Sequence, residues 1–277
     1  MHFRPATARD LETLLAFPVD PVIGGIGPDR LREELAAGQM RLPWSWLVLD
    51  DEGVVVGRAL WWGRSDSVTP LALDCLHLLE RVDDRAAVAG HLLQQAHAGF
   101  TAVRHPPEYQ LTLPTHWRRD PASVDAVSWR VAAAALAGLS EQTERLQYEW
   151  IPGDQHPTSS QRLRFRAGDE QEFLALFEQA AVGTLDVTTR RALVVMDPAA
   201  QARDDYNFYL NCPGERAWWR VATAPDGEPV IRLHADAGAE RVTATTDVIN
   251  VPMAAAFDRA GFRVTETRLM LEGRTTG

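Results

Sequence analysis

Leu146, Tyr148 and Trp150 alternate with Gln147 and Glu149, the two-residue period of a strand with one buried face. Ahead of that run lies an apolar helical stripe, Val124, Val127, Val131 and Ala135. Asp120-Pro121 opens it as N-cap and first helical proline, and Gly138 stops it as a left-handed C-cap. The same succession recurs near the C-terminus. Ala137-Gly138-Leu139, Arg145-Leu146 and Glu149 are matched at identical spacing by Ala260-Gly261-Phe262, Arg268-Leu269 and Glu272. An internal repeat constrains the architecture before any single motif does, so two copies of one module are expected.

The first copy reads as β-α-α-β-β-β-α-β-α-β. Phe3 to Thr7 is a short strand that ends at a helix cap, and Leu11, Leu14 and Leu15 line the helix that follows. A Pro/Gly loop, Pro18 to Pro28, leads to a second helix opened by Asp29, with Leu31 and Leu35 on one face. Trp44–Leu49 and Val54–Trp62 form a hairpin around the acidic turn Asp50-Asp51-Glu52-Gly53. Leu71–Leu79 is a further strand, Ala86–Ala98 a helix and Tyr109–Leu113 a short strand. Strands alternating with helices predict an α/β sandwich, in the broader sense an α+β sandwich.

Pro152 to Ser160 has linker composition. We therefore expect modules at 1–152 and 162–277 joined by residues 153–161. In the second copy Leu163–Arg166 restarts the strand pattern, Glu170–Ala181 and Ala199–Tyr209 are helical, and Trp218–Ala222 is a strand. Pro225-Asp226-Gly227-Glu228 repeats the acidic turn, but Gly227 lies much closer to Gly261 than Gly53 does to Gly138. Val230 runs directly into Ile231 to Gly238, which reads as the last turns of a helix. The return strand, the central strand and the helix start have no sequence to occupy. Either residues are missing between Val230 and Ile231, or an ordinary peptide bond spans a true deletion.

Composition narrows the function. The chain has 277 residues, 45% apolar, with a formal charge of −10 and no long basic run. That excludes a disordered chain and argues against nucleic-acid binding, which needs clustered Lys and Arg. Two cysteines with no CxxC pair, and eight histidines without ligand spacing, leave no expected metal site. No signal segment or membrane-length apolar run is evident, so a cytoplasmic protein without a membrane partner is expected. His77, on an apolar strand, is expected to be a satisfied core histidine. Trp44, Trp46, Trp61, Trp62, Trp218 and Trp219 fall at paired strand positions, which suits sheet packing better than a ligand cage.

Asn250 to Phe257 running into Ala260-Gly261-Phe262 gives the element Asn-x6-(Tyr/Phe)-x3-Gly-Phe. With the element order above, the chain resembles the GNAT superfamily of acyl-CoA-dependent N-acetyltransferases, in its double-module form. The resemblance implies acetyl-CoA as co-substrate, a small-molecule amine as acceptor, and a first module in a structural role. It places Asn250, Met253 and Phe257 beside the acyl-CoA. Asn250 reads equally as a plain helix N-cap and Phe257 as a core aromatic. Phe257 stands where many members carry a tyrosine, and phenylalanine has no proton to give a departing thiolate. Thr245, Thr246 and Asp247 end the strand before that helix, a usual ligand position. Asp247 is either a contact or base for the amine or a surface-loop carboxylate.

The family's phosphate loop, glycine-rich at a helix N-terminus, is not matched. Its place in the first copy reads Glu80-Arg81-Val82-Asp83-Asp84-Arg85-Ala86-Ala87, where no glycine opens the backbone and two aspartates oppose a pyrophosphate. The first copy is therefore expected not to bind coenzyme A tightly. A tandem acetyltransferase-like fold that binds without transferring anything is the alternative. The catalytic acid and base and the oligomeric state are not legible in the chain.

Overall fold

The computed structural model describes residues 1–100, 105–151, 164–212, 214–223, 229–233 and 241–274. The expected linker, the Pro225–Glu228 turn and His234–Gly238 lie outside the described residues. The chain forms two compact units, Met1–Arg145 with Glu266–Arg274, and Leu146–Thr265.

The first unit follows the order read from the sequence: β1 (His2–Pro5), α1 (Leu11–Ala16), α2 (Pro28–Ala36), β2 (Met40–Leu49), β3 (Val55–Trp62), β4 (Ala72–Leu78), α3 (Arg85–Gly99), β5 (Glu108–Leu113), α4 (Pro121–Leu136) and the start of β6 (Glu141–Trp150), whose residues from Leu146 on belong to the second unit. Strands β1 to β4 pair antiparallel, while β4 and β5 run parallel. The final strand of the chain, β11 (Arg263–Glu272), enters this sheet between β5 and β6. Thr267–Leu271 pair antiparallel with Leu113–Tyr109.

This placement differs from the expected division at Pro152. Glu266–Arg274 belongs to the first unit because Leu269, Met270 and Leu271 are buried there and β11 completes the ladder of β5. A strand takes the neighbour that pairs its backbone and covers its apolar face, not the nearest segment in sequence.

Two cores flank the sheet. On one face α3 and α4 cover Trp46, Trp61, Leu76, Leu111 and Leu271. On the other, α1 and α2 cover Leu47, Leu60 and Cys75 with Leu14, Ile26 and Leu31. Arg58 reaches from β3 into this second core, donating from Nη1 to Leu14 O at 2.8 Å and from Nη2 to Ile26 O at 2.5 Å. Its paired donors satisfy one carbonyl in the last turn of α1 and one in the loop that follows it.

The second unit contains β7 (Arg164–Arg166), α5 (Glu170–Ala181), α6 (Val187–Val195), α7 (Pro198–Leu210), β8 (Trp219–Thr223), β9 (Pro229–Leu233), β10 (Val242–Asp247) and α8 (Val251–Arg259). Strands β7, β8 and β9 form an antiparallel sheet. A small core of Phe173, Leu176, Tyr206, Trp219 and Val221 holds α5 and α7 against it. The stretch through Val230 and Ile231 is strand, not helix: Val221 pairs with Ile231 and Ala222 with Val230. The backbone ladder to β8 decides the conformation, and it runs on continuously across the expected break. Helix α6, with no residue fully buried, carries no apolar periodicity that would reveal it in advance.

The repeated glycines behave alike. Gly138 (φ 88°) and Gly261 (φ 81°) each end a helix in the left-handed region and lead into β6 and β11. Space around a Cβ at Gly138 is open, so the cost of a side chain there is backbone strain alone. Gly138→Ala is expected to cost about 1 kcal/mol in urea unfolding.

Candidate functional site

In the first unit the β3–β4 register skips between Leu60↔Cys75 and Trp61↔Leu73, leaving Asp74 as a bulged residue. The parallel pairing of β4 with β5 is confined to Ala72↔Glu108 and Leu73↔Tyr109. Beyond those pairs the two strands part, and a side chain fills the gap. Arg130 of α4, 1% exposed, donates from Nε to Leu76 O at 3.0 Å, from Nη1 to Ala126 O at 2.8 Å and from Nη2 to Asp20 Oδ2 at 2.6 Å. Asp20 in turn accepts from Val22 N–H at 2.8 Å and Ile23 N–H at 3.3 Å. The residual crevice is about 10 Å³, at the lower limit for one water.

Charge follows geometry here. Burial alone would raise the Asp20 carboxyl. The Val22 N–H, the Arg130 charge and hydrogen bond, and the Ile23 N–H outweigh it and hold it below the usual carboxylate value. Burial pushes the Tyr109 phenol well up. Burial also lowers His77, with Arg130 and Arg58 acting in the same direction against Asp20 and the Pro18 backbone. His77 is buried as expected but only half satisfied: it hydrogen-bonds the Pro18 backbone, while its Nδ1 has no partner among the described residues.

At the start of α3 the chain caps itself. Asp84 adopts a left-handed conformation (φ 44°), and its carboxylate accepts from Ala87 N–H at 3.2 Å. An anion at this helix N-terminus would meet a carboxylate already in place.

The sequence-predicted residues lie in the second unit. Thr245 is exposed and donates to Gln147 Oε1 at 2.6 Å; Thr246 is buried. Asp247, 1% exposed, is not a surface-loop carboxylate: its Oδ2 accepts from Val187 N–H at 2.7 Å, at the first residue of α6. It ties β10 to that helix. Asn250 caps α8 through a long 3.4 Å bond from Met253 N–H, with Pro252 in the first turn. Val251 and Met253 are exposed beside it. Phe257 packs against Tyr148 and Phe262, ring centroids 5.0 and 5.5 Å away. The chain thus presents Asn250 and Met253 together at one open helix N-terminus, with Phe257 further along the helix in an aromatic cluster.

Of the tryptophans, Trp44, Trp46, Trp61 and Trp219 are core residues, and Trp62 donates from Nε1 to Glu34 at 3.1 Å. Sequence reasoning passed over Arg130. Its signal was present: a lone arginine within the apolar stripe of α4, between Val127 and Ala133. Asp74 carried no signal, because its position depends on a bulge.

No family model matches the chain, and no curated protein does. Solved structures do. A GCN5-related N-acetyltransferase from Sphaerobacter thermophilus is 11% identical, with a TM-score of 0.55 over 100% of this chain and 96% of its own. A tandem GNAT protein from the clavulanic acid biosynthesis pathway is 13% identical, with a TM-score of 0.45 over 100% and 99%. A putative acetyltransferase from Pyrococcus horikoshii is 11% identical, with a TM-score of 0.39 over 99% and 89%. The whole-length match to the Sphaerobacter structure shows that the chain has the GNAT fold.

Proposed function

We propose that the protein is an acetyl-CoA-dependent N-acetyltransferase acting on a primary amine of a small molecule. The transfer site belongs to the β10–α8 segment, and the first unit is its structural partner in a two-module chain. The observation that carries this reading is the GNAT fold over the whole length, shared with a protein named as an N-acetyltransferase. The two free cysteines suit a cytoplasmic setting, and no described helix is long and apolar enough to cross a membrane.

The two units fit acyl-CoA differently. The first does not: Arg130 fills the space between β4 and β5, and Asp84 caps α3. In the second, Asn250 and Met253 flank an accessible helix N-terminus, and they would hold the co-substrate together with Phe257. Acetyl-CoA supplies the activated acyl group as a thioester. The chain's own contributions are binding and orientation, which convert a bimolecular encounter into a positioned one. Phe257 gives no proton, so the departing thiolate takes one from elsewhere. Asp247, bound to the α6 N-terminus, is a positioning residue that fixes the end of β10.

A non-catalytic binding protein of the same fold is the second reading. The filled cleft of the first unit favours it, as does the short sequence between β9 and β10, which has no room for a bulged strand and its helix. Free-thiol release from acetyl-CoA by the full chain, against a panel of primary amines, separates the two. Release is expected, and Asn250→Ala should weaken acetyl-CoA binding by about 1 kcal/mol, the size of one lost hydrogen bond. Phe257→Tyr should leave that binding unchanged. No release with any amine, together with no calorimetric heat for acetyl-CoA, establishes the second reading.

A further inference from the structure

We propose that the first unit binds a free α-amino acid in an open groove on the α2 side of its sheet. Helices α1 and α2 pack over the part of the sheet that holds Leu47, Leu60 and Cys75. Beyond it, the residues that β5 and β11 turn to this side are polar: Gln110 and Thr112, then Glu266 and Arg268. Their strand neighbours Leu111 and Leu269 belong to the opposite core. The groove encloses about 420 Å³, within the range of small-molecule sites.

Its walls are fixed. The Gly24 N–H donates to Thr112 O at 3.0 Å, and a Cβ on Gly24 would lie 2.9 Å from Thr112 Cβ. Only glycine lets the loop after α1 approach β5 this closely. On another side Trp62 is anchored by its bond to Glu34, leaving its ring as an apolar wall.

The charges select the ligand. Arg30 donates from Nη2 to Asp74 Oδ2 at 2.5 Å, so the bulged residue of β4 faces this groove. Arg268 donates from Nε to Glu266 Oε1 at 2.8 Å, and its two Nη groups have no partner among the described residues. A guanidinium with both terminal nitrogens open is matched to a carboxylate, which it holds with two parallel bonds. The carboxylates of Asp74 and Glu266, with the Gln110 amide oxygen, are matched to an ammonium. Two acids and two arginines cancel. A dicarboxylate would meet Asp74 and Glu266, and a diamine would meet the two guanidinium groups. A zwitterion answers both signs, and Trp62 offers its side chain an apolar surface.

The site needs no acyl donor and uses neither Arg130 nor α8, so it stands apart from the transfer reading. The test is calorimetric titration of the full chain with each of the common L-α-amino acids. Decarboxylated and N-acetylated counterparts of any binder serve as controls. At least one amino acid should bind saturably below ~1 mM, and both counterparts should bind at least about tenfold more weakly. Arg268→Gln and Asp74→Asn, checked for an unchanged thermal midpoint, should each weaken binding by a similar factor. No saturable heat from any amino acid up to ~10 mM overturns the proposal. So does equal binding of an amine lacking the carboxylate, or full retention of binding in folded Arg268→Gln. Thiol release in the acetyl-CoA assay is read separately, and its failure leaves this result untouched.

Discussion

A chain that ends at Phe262 is expected not to fold its first unit. The deletion removes β11, and with it Leu269, Met270 and Leu271, exposed by 4%, 6% and 0%. It also removes the partner of Tyr109–Leu113. Truncating one buried leucine to alanine costs about 2–5 kcal/mol, and three buried side chains plus a lost ladder exceed the whole stability of a typical domain, about 5–15 kcal/mol. The exposed edges of β5 and β6 would then favour aggregation. The measurement is amide hydrogen exchange on the truncated chain, read at Tyr109 to Leu113. Native-like protection there would mean that β11 is dispensable. Leu271→Ala is the graded version, with an expected loss of about 2–5 kcal/mol in urea unfolding. For the same reason, coenzyme A binding by the first unit has to be measured in the full chain: residues 1–152 alone lack the strand that closes their sheet.

Local pattern carried the elements of the first unit because each signal was local. Asp120-Pro121 opens α4, and the Asp120 carboxylate does accept from Ser123 N–H at 3.1 Å. Gly138 and Gly261 stop their helices in the left-handed conformation that their repeated setting implied. Strand partnership was not local. Periodicity shows that Arg263–Glu272 is a strand with one apolar face, yet it is silent on which sheet receives it. The site divides the same way. Asn250 as an N-cap was readable, whereas Asp247 is drawn to the α6 N-terminus, and α6 itself lacks a visible pattern. At Val230-Ile231 the helical reading failed because a backbone ladder to β8 outweighs a weak local preference. Asp74 shows the limit most clearly: one skipped register position turns an ordinary strand aspartate toward a groove.

The second large effect is expected at Arg130. Arg130→Ala should cost about 3–5 kcal/mol, the usual result of removing one partner of a buried ion pair. Three acceptors lose a donor at once: Leu76 O, Ala126 O and Asp20 Oδ2. Asp20, with its side chain 14% exposed, would keep only its two backbone N–H donors. Asp20→Asn in the same chain should recover part of the loss, because the neutral amide no longer needs a cation; the coupling measures the pair. The pH dependence gives a second readout. In the native protein the folded carboxyl lies below its unfolded value, so its stabilisation is full above the unfolded value and is lost as pH falls through the folded one. Without Arg130 the burial that raises Asp20 meets less opposition. The acid limb of the stability curve should therefore move to higher pH. Urea unfolding of both proteins across the acid range is the measurement. An Arg130→Ala loss under about 1 kcal/mol at neutral pH, with an unmoved acid limb, would show the guanidinium to be solvated rather than wedged between β4 and β5.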